Sequence, residues 1–160
     1  MLQRIQTIYL LVVAGLFVAL VFLPLALLHS EADLYVFDVT GIYTVAENTV
    51  AKPQDLAYST WPLFALVCLV ALISFAIIFM YKKRVVQMRM CVFNSLIIIG
   101  LSLLFGYYLW KLSNSPALPN LEINLRLWTS FPIIGLILNY LSIRKIGSDE
   151  FLIRSIDRLR

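Results

Sequence analysis

Charge is scarce in this chain and histidine nearly absent: 14% of its 160 residues are charged, and His29 is the sole histidine. An ordinary soluble domain is about 25% charged and about 45–50% apolar, whereas 61% of this chain is hydrophobic. A chain this short leaves too much surface exposed to hide that excess in a core. The composition therefore points to a bilayer as its solvent. Cysteine is equally sparse. Cys68 and Cys91 fall at different depths of the expected helices, and a disulfide needs Cα atoms within about 7 Å, so both read as packing residues. A lone histidine cannot supply the three or four ligands of a metal site, and His29 reads as solvated or interfacial. No Ser-His-Asp set, paired catalytic carboxylates, glycine-rich phosphate loop or Cys/His metal spacing occurs. These absences argue against an enzyme, a cofactor and a resident metal. The net charge is +4, but the basic residues are dispersed between apolar runs and form no single face, so nucleic acid is not an expected partner.

What the chain has in abundance is long apolar sequence. Ile8–Leu28, Trp61–Tyr81, Met90–Trp110 and Leu127–Ile143 contain no Asp, Glu, Lys, Arg or His. An intramembrane ionisable residue is the usual mark of a proton relay or ion path, so neither is expected. The first run exceeds the roughly 7–15 residues of a signal-peptide core and reads as an uncleaved anchor. Ser59-Thr60-Trp61-Pro62 offers the second run a hydroxyl cap and a proline in the first turn. Pro132 should bend the fourth run, and Arg126 should snorkel to its outer surface. The expected fold class is an all-α membrane protein. It is a single domain over residues 1–160, a four-transmembrane-helix bundle with spans at about 8–28, 61–81, 90–110 and 127–143, and its first partner is the lipid bilayer.

Orientation follows from charge. Arg4, Lys82, Lys83, Arg84, Arg89, Arg144, Lys145, Arg154, Arg158 and Arg160 fall on one side, against Lys52, Lys111 and Arg126 on the other. By the positive-inside rule the richer side is cytoplasmic, and both ends of the chain lie there. Trp61, Trp110 and Trp128, with Tyr107 and Tyr108, gather at the outer interface, while Tyr9, Tyr81 and Tyr140 mark the inner one.

The long outer loop, residues 29–60, contains Leu34–Thr40 and Ile42–Val45, both rich in β-branched and aromatic residues, with Gly41 marking a turn or bulge. Leu121–Leu125 alternates apolar and polar. Together these segments predict a small antiparallel sheet capping the outer face, a cover for helix ends or a docking surface. The cytoplasmic tail, residues 144–160, reads as a short amphipathic helix. Gly147 ends the fourth span, Ser148 caps a new helix, and Leu152, Ile156 and Leu159 recur at helical spacing with Arg154 and Arg158 beside them. That helix can dock on a partner or lie on lipid.

Two polar residues fall inside the runs. Asn94 and Asn139 share a depth on helices of opposite direction and can pair across them, or line a polar pocket open to the cytoplasm. Gly15 with Ala19, and Ser102 with Gly106, form small-xxx-small pairs that mark helix-packing seams, within the bundle or between subunits.

The opening Gln3-Arg4-Ile5-Gln6-Thr7 leading to Phe22-Leu23-Pro24-Leu25, and the ending Arg154-Ser155-Ile156-Asp157-Arg158-Leu159-Arg160, resemble a family of small four-span inner-membrane proteins of unknown function found in Bacteroidota. The resemblance implies a bacterial cytoplasmic membrane and a periplasmic outer loop; it implies no activity, cofactor or site residue. The functional expectation is a non-enzymatic scaffold or accessory subunit of a membrane complex, with a membrane-protein partner or its own copy on these surfaces. The alternative is a small-molecule or lipid binding or transport protein with a cavity between the helices.

Overall fold

The computed structural model describes residues 3–29, 34–45, 56–80, 84–114 and 122–157. Among these, four helices and five strands follow in the order α1 (Gln3–Phe22), β1 (Ala26–His29), β2 (Leu34–Phe37), β3 (Gly41–Val45), β4 (Leu56–Ser59), α2 (Trp61–Phe79), α3 (Arg84–Ser113), β5 (Glu122–Leu125) and α4 (Phe131–Asp157). Helix α1 packs on α2 and α4, and α3 packs on the same two. Each buries one stripe at helical spacing. On α2 it is Leu63, Val67, Val70, Ser74 and Ile77, and on α4 Gly135, Asn139, Ser142 and Ile146.

The expected four-span bundle is corrected. Among the described residues, two helices are long and apolar enough to cross a membrane: Trp61–Phe79, with mean hydropathy 2.8, and Val85–Ser113, with mean hydropathy 2.0. Only 28% and 22% of these stretches are buried within the protein. A helix that is apolar all round yet packs along one stripe needs an apolar solvent for the rest. The first and fourth apolar runs are each divided between two kinds of structure. Pro24 disfavours helix at the residue before it, so α1 ends at Phe22 and the remaining Ala26–Leu28 enters strand β1. That leaves Gln6–Phe22 as a shorter apolar helix. In the fourth run, Leu127–Ser130 forms a 3-10 turn before α4 begins at Phe131. The apolar part of α4 is correspondingly short before Arg144 and Lys145.

The all-α class is corrected with it. The five strands form one antiparallel sheet in the order β4-β3-β2-β1-β5, and β1, fourth in that order, is the tail of the first apolar run. Ala26 faces both Phe37 of β2 and Leu125 of β5. The β2–β3 turn closes with Asp38 N–H donating to Gly41 O at 2.9 Å, and a bulge separates Ile42 from Tyr43. Burial in this turn pushes the Asp38 carboxyl above its ordinary value. The inner sheet face contributes Leu28, Phe37 and Ile42 to an apolar cluster with Val13, Phe17, Val67 and Ile98 of the helices. Phe37 meets Phe105 edge to face, with centroids 5.4 Å apart.

Two smaller expectations also change. Thr60 stands at the start of α2 but makes no side-chain cap bond; its hydroxyl donates to Val39 O at 2.9 Å and Asp38 O at 3.4 Å in the β2–β3 turn. The separate tail helix is absent, because α4 runs unbroken through Gly147 to Asp157. Ser148 Oγ donates back to Arg144 O at 2.9 Å instead of capping a new helix. The side chains of Leu152, Arg154 and Ile156, and residues Arg158 and Leu159 entirely, lie outside the described residues.

Candidate functional site: a buried polar layer and a cationic pocket

Asn94 and Asn139 are both fully buried, Asn94 where α3 packs on α2 and Asn139 where α4 packs on α3. They are neighbours without being a pair. Asn94 Nδ2 donates to Ser74 Oγ on α2 at 2.9 Å. Asn139 Nδ2 donates to Ser95 Oγ and to Cys91 O on α3, each at 2.8 Å. The expected direct bond across helices is thus replaced by bonds to hydroxyls and a carbonyl. Serines near the two asparagines are expected from the sequence to line a cavity with them; Ser74 and Ser95 are instead their hydrogen-bond partners, while buried Ser142 donates to Leu138 O on its own helix. The amide oxygens Asn94 Oδ1 and Asn139 Oδ1 have no hydrogen-bond partner among the described residues. Amides and hydroxyls do not titrate near neutral pH, so the layer can accept a hydrogen bond but cannot serve as an acid or base.

This layer separates two apolar clusters. Val70 and Ile98 belong to the cluster under the sheet, while Ile77, Cys91 and Ile146 form a second one beyond the asparagines. Ser74→Ala should be more destabilising than Asn94→Leu, because it leaves the whole amide of Asn94 buried without its hydroxyl partner, whereas leucine removes the polar group. The expected gap is about 1 kcal/mol, since hydrogen bonds between membrane helices average about 0.6 kcal/mol. Thermal melting of the two purified variants decides it; equal midpoints would show that the Asn94–Ser74 bond contributes nothing.

The small-residue seams face outward. Gly15, Ser102 and Gly106 are exposed and Ala19 is partly so, and a Cβ at Gly15 or Gly106 would meet nothing within 4 Å. The close helix approach is instead at Gly135, where a Cβ would stand 2.7 Å from Phe17 Cε2. His29 is exposed at the end of β1. Among the described residues no group of three or more His, Cys, Asp or Glu is placed to hold a metal ion.

A second polar site was not anticipated. At the end of the helices away from the sheet, a pocket of about 320 Å³ opens between α1 and α4, lined by Tyr9, Leu141, Arg144, Lys145 and Ser148. The α4 residues follow i, i+3, i+4, i+7 and so occupy one face. That face runs past Ser148, where the sequence predicts a new helix, because α4 continues unbroken to Asp157. Beside it, Gln6 Nε2 donates to Asp149 Oδ2 and links the same two helices.

The sheet supplies an edge. Arg126 N–H donates to Leu25 O at 3.1 Å, which fixes the phase of the β1–β5 ladder. Glu122 and Asn124 turn their backbone groups toward β1, and Ile123 and Leu125 turn theirs away. Strand β5 closes the sheet on this side among the described residues, and Glu122, Asn124 and Leu125 are exposed.

These features define a mostly helical protein with two helices long and apolar enough to cross a membrane and an antiparallel sheet at one end. The chain belongs to the family described as Domain of unknown function (DUF4293), whose profile matches residues 2–159. No curated protein matches it.

Proposed function

We propose that the protein is a non-enzymatic scaffold or accessory subunit of a complex in a bacterial cytoplasmic membrane. The observation that carries the reading is the edge of β5, which pairs with no further strand among the described residues. An unpaired strand presents a row of N–H and C=O groups on which an extended segment of another chain can add. It is short, four residues, which limits pairing with stray chains and suits a defined partner. In this reading α2 and α3 cross the bilayer as a hairpin, with their sheet-side ends on the outer side and their connected ends on the inner side. Charge supports the orientation. Arg89, Arg144 and Lys145 sit on the parts of α3 and α4 away from the sheet, while Lys111 and Arg126 are the cations described near it. Trp61, Trp110 and Trp128 are exposed at the sheet end, as an interfacial belt requires.

The test is a photo-crosslinker at position 122, an exposed residue of β5, in native membranes, with and without Leu125→Pro in the same chain. Proline there removes an outward N–H and leaves the β1 ladder intact. The expected result is one stoichiometric crosslinked membrane protein, a partner or a second copy, lost at least tenfold in the proline variant whose melting is unchanged. Recovery of the protein alone from both samples would overturn the reading.

A further inference from the structure

We propose that the pocket between α1 and α4 holds the phosphate group of an anionic membrane phospholipid. The inference goes beyond the scaffold role and rests only on the membrane orientation proposed above. The pocket is graded along the α4 axis. Leu141 lies toward the helix middle, and Arg144, Lys145 and Ser148 follow toward the end away from the sheet. Seven residues of helix cover about 10 Å, the depth over which a phospholipid passes from acyl chain through glycerol to phosphate. Above Leu141, Ile137 and Tyr140 are exposed on α4 and continue the apolar surface that acyl chains would follow.

The polar end offers what a phosphate needs. Arg144 presents a planar fork of donors, Lys145 a compact ammonium, and Tyr9 brings a phenol from the facing helix. Ser148 forms a wall, its hydrogen being given to Arg144 O. The nearest carboxylate along the chain, Asp149, accepts from Gln6, so its charge is partly engaged. Two cations at a membrane surface attract any anionic headgroup; the concavity built by two helices distant in sequence is what selects one phosphate. A soluble phosphate shares this chemistry but would leave Leu141 and the apolar groove above it unused.

The test uses the full chain in nanodiscs of phosphatidylcholine with a minor share of phosphatidylglycerol, followed by native mass spectrometry of retained lipid. One phosphatidylglycerol per chain is expected. The Arg144→Gln/Lys145→Gln variant should retain it about 25-fold less, at roughly fivefold per cation, with melting unchanged. Tyr9→Phe should lower retention severalfold. Arg89→Gln removes an exposed cation at the same end but outside the pocket, and should change nothing. Retention of the two lipids in proportion to their supply, or an equal loss in Arg89→Gln, overturns the proposal. So does binding of inorganic phosphate with no phosphatidylglycerol retained, which would assign the site to a soluble ligand. The orientation is read separately by labelling Phe151→Cys, an exposed position on α4, with a membrane-impermeant maleimide. Labelling from the outer side would overturn the orientation, and the lipid measurement would still stand for the pocket itself.

Discussion

Gly135→Ala should lower the melting temperature of the protein, whereas Gly100→Ala should raise it. The two glycines sit in helix interiors, where alanine is preferred by about 1 kcal/mol through backbone entropy alone. Their surroundings reverse the sign. A Cβ at Gly100 meets nothing within 4 Å, so the propensity gain stands unopposed. A Cβ at Gly135 would lie 2.7 Å from Phe17 Cε2 and 3.3 Å from its Cζ. Contacts that short do not persist, and the ring has no room to swing, because Phe17 is completely buried in the main apolar cluster. Overpacking of this kind costs about 1–3 kcal/mol, which exceeds the gain; the net loss should be about 1–2 kcal/mol. Phe17→Leu removes the offending ring atoms, so adding Gly135→Ala to that background should be neutral or stabilising. A Gly135→Ala protein that melts at or above the wild type would show that α1 and α4 are not held at the distance seen here.

That close approach also shows what could and could not be read from the sequence. Of the two places open to the small-xxx-small seams, within the bundle or between subunits, outward-facing Gly15 and Gly106 fit only the second, while Gly135 faces Phe17 without any such pattern around it. Small residues permit proximity; only the facing helix determines whether it is used. The apolar runs were legible as apolar, and the helices grew from them. Apolarity alone, however, does not say which backbone conformation buries a residue. Ala26 and Leu28 are as buried in strand β1 as they would be in a helix, because the junction of sheet and helices is itself a core. Pro24 is the sequence signal that the helix stops early.

The polar layer repeats the lesson in another form. Burial of Asn94 and Asn139 followed from their place among apolar neighbours, and the shared level followed from counting turns. Their partners did not follow, because a one-turn error in relative helix height moves an amide from one side chain to another. Ser74 and Ser95 became partners through the way α2, α3 and α4 nest. The tail misled for a related reason. Gly147 and Ser148 are a stop-and-cap signal when a helix end is exposed, but here Gly147 is packed with its would-be Cβ 3.9 Å from the Met88 sulfur. Tertiary contact carries the helix through. The pocket at Arg144 and Lys145 exists because it does.

Thr60→Val should destabilise the protein by about 2 kcal/mol, and Thr60→Ser by less. The residue joins the two halves of the fold. Its carbonyl accepts the first amides of α2, from Leu63 at 2.9 Å and Phe64 at 3.3 Å. Its hydroxyl reaches the opposite way to Val39 O in the β2–β3 turn at 2.9 Å. Thr60 and Val39 are both fully buried, so the carbonyl that loses this donor loses it in a dry site, at about 1–3 kcal/mol. Valine keeps the shape and the branched Cβ, which isolates the hydroxyl from packing. Because that hydroxyl makes no bond to the helix, the loss is not a capping effect, and helix content should hold while the sheet loosens. Serine keeps the bond and gives up one methyl, worth about 0.8 kcal/mol. Amide exchange of β2 and β3 distinguishes the cases: it should quicken in Thr60→Val ahead of α2 and α3. If valine melts with the wild type, or serine falls below valine, the hydroxyl is a bystander and the sheet is anchored to the helices by apolar contact alone.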